Sequence, residues 1–311
     1  MSTLTPSVEF RQINEEEAGQ RLDNFLLRIL KGVPKSRIYR AISKGEVRIN
    51  KKRADASSRI KAGDLIRIPP IRVAQRPIVS LKPHLAELLA DCILYEDNAL
   101  IVLNKPSGFA VHGGSGLSLG IIEALRLLYP NEKNLELVHR LDKDTSGCLM
   151  VAKKRSMLRF LHQALREGHI EKKYWALLIG RWPAHQTVID APLQKNILSS
   201  GERMVRIDME GKSAQTLFHV EQYFAEQTLA SITLLTGRTH QIRVHAAHQG
   251  HPVAGDDKYG DKNANLILRQ HGLKRLFLHA AQLVIPTLTD EKITIQAPLD
   301  EKLSELLTRL P

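Results

Sequence analysis

A chain of 311 residues is long enough for about two domains. With 43% hydrophobic and 25% charged residues it can bury a real core, which excludes wholesale disorder. A formal net charge of +12 calls for an anionic partner, most simply nucleic acid.

That charge is segregated. Residues 1–80 hold 17 Lys/Arg against 8 Asp/Glu, while the other 231 residues hold 28 against 25. Cys92 and Cys148 are the only cysteines; they make no disulfide framework and no Cys-x-x-Cys metal pair, which fits a reducing cytoplasm. Glu9 and Glu15-Glu-Glu17 stand where a signal peptide needs an apolar core. No uncharged apolar run approaches the roughly 18 residues of a membrane span. The expectation is a cytoplasmic protein that does not enter membranes.

In chain order, residues 1–14 are polar and predicted to be a flexible N-terminus. A compact basic module runs from 15 to 69. Apolar positions at 22, 25, 26, 29 and 30 predict a helix over 21–30, stopped by Gly32 and Pro34. Ser36 is the predicted N-cap of a second helix over 37–43. Residues 46–50 alternate like a strand, Lys51-Lys52-Arg53 make a basic turn, and Gly63-Asp64 precede a strand at 65–68. Two small helices and a small sheet are a thin core, enough for a module tethered to a larger body.

From Lys31 to Arg53 there are nine Lys/Arg and one acid, Glu46. Lys35, Arg37, Arg40 and Lys44 straddle the second helix, and Lys51, Lys52 and Arg53 decorate the turn. Such a face can track a phosphate backbone and read structured RNA; the plainer reading is a solvated basic surface. The order Arg21-Leu-Asp-x-Phe-Leu, Ser36-Arg37, Ile42-Ser-Lys-Gly45-x-Val-x-Ile-Asn50 and Gly63-Asp64 resembles the S4 RNA-binding domain. One departure is Lys51, where that domain often has glycine, a change expected to cost little and to add charge.

Prolines 69, 70, 77 and 83 mark an extended linker over 70–87. Residues 88–311 read as one further domain. Strands are predicted at 99–103, 149–152, 174–179, 229–235 and 293–295, and helices at 119–128, 156–167 and 241–248. Strands outnumber helices without βαβ alternation, so the expected class is α+β around a mainly antiparallel mixed sheet.

Five segments of this domain carry chemistry. His139-Arg-Leu-Asp142-Lys-Asp144-Thr-Ser-Gly147 sets two carboxylates in a turn before an apolar strand, where a buried carboxylate needs a partner. Leu100–Leu103 lead into Asn104-Lys-Pro-Ser-Gly108, and the later Gly-Gly-Ser-Gly lacks the Gly-Lys-Ser/Thr of a nucleotide loop. Tyr174 opens a strand and would pass as a core tyrosine. Thr236-Gly-Arg-Thr-His240-Gln-Ile-Arg243-Val-His245 sits in a histidine-rich stretch, but no His-Glu-x-x-His pattern or nearby cysteine supports zinc, so no metal is expected. Arg243, flanked by Ile242 and Val244, is an arginine that wants a carboxylate. Leu278-His279-Ala280 close an apolar strand over 275–280 and would alone pass as core.

Together, His139-Arg-Leu-Asp142-x-x-Thr-Ser-Gly147, Asn104-Lys-Pro-Ser-Gly108, Lys172-Lys-Tyr174-x-Ala-Leu, Thr236-Gly-Arg-Thr-His-Gln-Ile-Arg243-x-His and Leu278-His-Ala280 resemble the RluA-type pseudouridine synthases, from about residue 95 onward. The resemblance implies an isomerase of uridines in 23S rRNA, needing neither cofactor nor metal. Its partner is RNA, in large-subunit precursors, with no DNA and no oligomer expected. It implies Asp142 as the catalytic carboxylate, salt-bridged by Arg243, with Asp144 a surface acid. Three roles for Asp142 are open: attack on ribose C1′, attack on uracil C6, or assistance to glycal formation. Tyr174 would lie against the uracil and remove the C5 proton. Leu278 would wall the pocket, Arg140 would fill the place of the flipped base, and His139 would join the substrate-binding set. The competing class is a non-catalytic S4-type RNA-binding or ribosome-assembly protein, free to lose Asp142, Tyr174 or Arg243.

Overall fold

The structure is a computed structural model of the 311-residue chain. It describes residues 7–30, 32–71, 83–113, 119–185, 187–197, 203–287, 289 and 291–311. The chain divides into two compact units, residues 1–80 and 81–311.

The first unit contains β1 (Glu9–Gln12), α1 (Leu22–Ile29), α2 (Lys35–Ser43), β2 (Arg48–Ile49) and β3 (Leu65–Ile68). Leu22, Phe25 and Leu26 place the apolar stripe of α1 against Ile38, Ala41 and Ile42 of α2, beside Val47, Ile60, Ile66 and Ile68. The sheet order is β1-β3-β2, antiparallel throughout. β1 lies within the segment expected to be loosely ordered. Its mostly exposed residues give no pattern; it forms by backbone pairing with β3, and Ile13 just beyond it is buried.

Two local expectations are corrected here. α2 starts two residues early, at Lys35, because Pro34 has a φ of −57° that suits helix entry; Ser36 lies inside the helix and caps nothing. Asn50 and Lys51 both take positive φ, 49° and 68°. Lys51 thus stands in the left-handed region that glycine favours, at about 1–2 kcal/mol. The turn is held by Asn50, whose Oδ1 accepts from the Leu65 amide and whose Nδ2 donates to Asp64 Oδ1, both at 2.8 Å.

In the second unit the elements are α3 (Pro83–Asp91), β4 (Ile93–Glu96), β5 (Leu100–Lys105), α4 (Ile121–Leu128), β6 (Glu136–Leu137), β7 (Ser146–Ala152), α5 (Arg155–Glu167), β8 (Glu171–Ile179) and β9 (Val188–Asp190). Then come β10 (Leu193–Ile197), β11 (Arg203–Ile207), β12 (Gln215–Tyr223), β13 (Gln227–Leu234), α6 (Gln241–His248), α7 (Lys262–Gln270), β14 (Leu278–Pro286), β15 (Lys292–Gln296) and α8 (Glu301–Arg309). α3 occupies part of the stretch read as linker; most of that stretch, 72–82, lies outside the described residues.

A ten-stranded sheet runs β4-β5-β7-β14-β8-β13-β12-β9, with β15 on β14 and β6 on β7. The class is the expected one. Every pair in this sheet is antiparallel except β7 with β14, where Ser146 and Gly147 meet His279 and Ala280. Gly147 has a φ of +105°, and a Cβ there would sit 2.2 Å from the Ala280 carbonyl oxygen. Only glycine permits that close parallel approach. It brings the end of the Asp142 turn beside the start of β14. Among the described residues no helix is long and apolar enough to cross a membrane.

Candidate active site

The turn between β6 and β7 carries Asp142, and its backbone is clamped from the other side. The Gly108 amide donates to the Lys143 carbonyl at 2.9 Å, and Ser107 Oγ donates to the Asp144 carbonyl at 2.7 Å. Lys105 is fully buried, and its Nζ donates to the carbonyls of Pro106, Phe109 and Lys143 at 2.8–3.0 Å. Burial and the charge of Arg275 push this lysine down to about 7, against Asp144 and Asp142. Three carbonyl acceptors need three hydrogens, which only the ammonium form has. The Asn-Lys-Pro-Ser-Gly segment is therefore a bracket for the Asp142 turn.

Asp142 opens into a cleft of about 1040 Å³ whose walls come from six separated segments of the chain. Tyr174 from β8 and Leu278 from β14 make its apolar side; Arg140, Lys172, Arg238 and Arg243 make it cationic. Tyr174 is buried, and its hydroxyl is pushed up by burial and then by the charge of Asp142. Burial likewise pushes Lys172 down. Arg140 is exposed at the cleft.

Arg243 faces Asp142 as expected, with Nη1 3.5 Å from Oδ2, but this is the long contact. Its two short bonds go to Asp256: Nε to Oδ2 and Nη2 to Oδ1, both at 2.7 Å. Asp256 is 0% exposed at its side chain and also accepts from the Lys258 and Tyr259 amides. Burial alone would raise its carboxyl, but the hydrogen bonds and charge of Arg243, with those amides, hold it below the usual range. Sequence reasoning missed Asp256. The available signal was an acid after the apolar Val253-Ala254, thirteen residues beyond an arginine that needed one.

His139 lines the cleft, yet its Nε2 accepts from the Met150 amide at 3.1 Å. Burial, with Lys172 adding and the Arg140 backbone opposing, lowers it to about 4. It is a neutral strut joining the turn to β7, rather than a freely presented ligand for substrate. His245 is equally committed, to Thr216 Oγ1 at 2.9 Å and the Ala191 carbonyl at 3.0 Å. Among the described residues no group of three His, Cys, Asp or Glu could hold a metal.

In the first unit Lys35, Arg40, Lys44, Lys51, Lys52 and Arg53 are exposed. Arg37 differs: its Nη2 pairs with Glu46 at 2.8 Å, so part of its charge is spent within the module.

The RNA pseudouridylate synthase family model matches residues 99–248, and the S4 domain model matches residues 20–66. Over its whole length the chain is 56% identical to ribosomal large subunit pseudouridine synthase C of Escherichia coli K12, covering 99% of that protein. It is 52% identical to the synthase C of Pasteurella multocida, over 99% of the chain and 95% of the relative. The solved structure of human RNA pseudouridylate synthase domain containing 4 superposes with a TM-score of 0.61 at 29% identity, covering 73% of this chain and 97% of the human one. The chain thus belongs to the RluA-type RNA pseudouridine synthases, in the branch that carries an S4 domain and includes the ribosomal synthases of type C.

Proposed function

We infer that this chain isomerises specific uridines of 23S rRNA in the large ribosomal subunit to pseudouridine, with Asp142 as the catalytic carboxylate. The substrate follows the large-subunit synthases to which it is similar. One observation carries the role of Asp142: a carboxylate on a backbone-clamped turn faces a cationic cleft with one apolar wall, and its arginine neighbour is anchored elsewhere. Such a carboxylate keeps a free lone pair for attack.

The reaction breaks the ribose C1′–N1 bond, turns the base and joins C1′ to C5; the C5 proton leaves to solvent and N1 takes one up. Tyr174 and Leu278 give the uracil an apolar seat once it has flipped from its stack, which costs a few kcal/mol. Arg140, exposed at the cleft, takes the place left by the base. Tyr174 stays protonated, since burial and Asp142 both disfavour the phenolate. Its hydroxyl therefore relays the C5 proton instead of taking it as a free phenolate. The basic face of the S4 unit anchors the RNA. The protein acts in the cytoplasm as a monomer, on precursors of the large subunit.

The test is tritium release from a 23S transcript labelled at uridine C5. Asp142→Asn should abolish release and keep RNA affinity. Substantial turnover in that variant would remove the carboxylate from the mechanism.

A further inference from the structure

His240 lines the cleft, and the mechanism above gives it no role. Its backbone has φ +53° and ψ +20°, the left-handed region, at the N-cap of α6. Among the described non-glycine residues only Asn50 and Lys51, in a turn of the first unit, also have positive φ. An N-cap is normally extended, and its side chain accepts from the first helical amides. His240 does neither. A partly buried histidine in this backbone region, with no capping bond, leaves its ring free for other partners.

Both ring nitrogens have a facing group. Nδ1 lies 2.8 Å from Tyr259 Oη, and Nε2 lies 3.8 Å from Asp142 Oδ1. Tyr259 Oη accepts from the Val205 amide at 3.0 Å, so one lone pair is taken and its hydrogen is available for Nδ1. A bare Nε2 lone pair would meet a carboxylate oxygen, acceptor against acceptor. With Tyr259 donating to Nδ1, the neutral ring carries its hydrogen on Nε2 and presents it to Asp142. The charged groups around the ring are Asp142, Arg243, Lys258 and Asp256. Burial, with Arg243 and Lys258, lowers the imidazole against both acids, so it is neutral near pH 7.

We propose that His240 is a positioning residue for Asp142, its Nε2–H fixed by Tyr259 and steering Oδ1 while Arg243 faces Oδ2. At 3.8 Å the contact is not a hydrogen bond in the free protein; contacts of this kind shorten when substrate closes the site. The two donors then hold the two carboxylate oxygens from opposite partners, which fixes the plane of the attacking group. Tyr259 lies also against the Arg243 guanidinium, at 5.1 Å from its ring centroid, so it touches both steering groups. A phenylalanine would keep that ring contact and lose only the hydroxyl.

The inference rests on the reading of Asp142 as the catalytic carboxylate, and the experiment separates the two. Full-length variants are compared by single-turnover tritium release from the 23S transcript, with RNA affinity and melting temperature measured alongside. His240→Phe should slow release about tenfold while RNA affinity and melting temperature hold, a loss in the chemical step alone. His240→Gln, which restores an N–H near the Nε2 position, should recover most of that rate. Tyr259→Phe should slow the wild type about threefold and the His240→Phe variant not at all, because the hydroxyl reaches the chemistry through the imidazole, while the loss of its bond from the Val205 amide is read in the melting temperature. If His240→Gln is as slow as His240→Phe, or if Tyr259→Phe costs the same in both backgrounds, the proposal is overturned. If His240→Phe is as fast as wild type while Asp142→Asn is inactive, the proposal fails and the role of Asp142 stands. If Asp142→Asn itself turns over, the reading beneath both is what fails.

Discussion

Asp256→Asn probes the deepest electrostatic element of the cleft without changing its shape. Asparagine keeps one acceptor oxygen but loses the charge and one of the two 2.7 Å bonds to Arg243. The Arg243 side chain is only 8% exposed, so its charge is left with little water to compensate. Removing one partner of a buried ion pair costs about 3–5 kcal/mol, and the retained acceptor favours the lower end. At roughly 2–4 °C per kcal/mol for a domain of this size, the melting transition of the second unit should fall by about 6–12 °C. Activity should fall further than stability explains. Released from Asp256, Arg243 has Asp142 as its remaining carboxylate and closes the 3.5 Å gap. A displacement of about 1 Å in a reacting group can cost on the order of a hundredfold in rate. Single-turnover release, measured well below the lowered melting temperature, reads that loss directly. The folded Asp256 carboxyl lies below its ordinary value, so the pair contributes fully above the ordinary carboxylate range. That contribution disappears only as pH falls through the folded value, so the wild-type margin over Asp256→Asn should be flat above about pH 5 and vanish in acid. A variant with wild-type melting and wild-type turnover would refute the claim that Asp256 anchors Arg243.

Lys105→Met removes the buried ammonium whose hydrogens satisfy three part-buried carbonyls, and should destabilise the second unit by about 2–4 kcal/mol in thermal or urea unfolding. Gly147→Ala drives a Cβ into the Ala280 carbonyl at a positive φ, and should leave little folded protein by circular dichroism; a well-folded, active variant would contradict the β7–β14 approach. Replacing exposed Lys51 and Lys52 by alanine should reduce the slope of log affinity against log salt by about 1.4–1.8, with the rate at saturating enzyme unchanged. Asp144→Asn, exposed beside Asp142, is the matching control and should keep wild-type turnover.

Patterned elements are legible in the chain, including short ones such as β3 and β15, and unpatterned ones are not. β5, β7, β8, β13, α4, α5 and α6 fall where apolar runs or helical spacing put them, within a few residues. β1, β6 and β9 escape such reading because they are two to four residues long and held by backbone pairing with a neighbouring strand. The apolar run before β14 stops at Ala280, but the strand continues to Pro286, where β15 pairs along it. The site shows the same division. Asp142, Tyr174, Arg243 and Leu278 meet at one cleft from four motifs, whereas Asp256 has only the weak signal of an acid after Val253-Ala254, and Tyr259 none. Asp256 and Asp257 look like a charged surface turn. What buries the first is distant: Asn265 Nδ2 donates to the Asp256 carbonyl at 3.1 Å, and its Oδ1 accepts from the Gly255 amide at 2.8 Å. Gly255 in turn lies so close to Arg275 that a Cβ would stand 2.1 Å from its carbonyl oxygen. No local pattern encodes such packing.

The way Asp142 is held would resolve a conflict that faces it in the catalytic role proposed above. Short charge-assisted bonds to its oxygens would fix it firmly but would also engage the lone pairs it needs for attack. Here rigidity is delivered to the main chain: Lys105, Ser107 and Gly108 bind the carbonyls of Lys143 and Asp144, the two residues after Asp142. In the free protein, among the described residues, the side chain meets Arg243 and His240 at long range, 3.5 and 3.8 Å. The strongest local cation is kept from collapsing onto the carboxylate by a second, fully buried acid. Asp256 thus supports chemistry by occupying Arg243, and the cost of burying it is met by four short hydrogen bonds rather than by solvent. A site built in this way should tolerate loss of Asp144 and respond sharply to changes at Lys105 and Asp256, although neither of those two touches the reacting atoms.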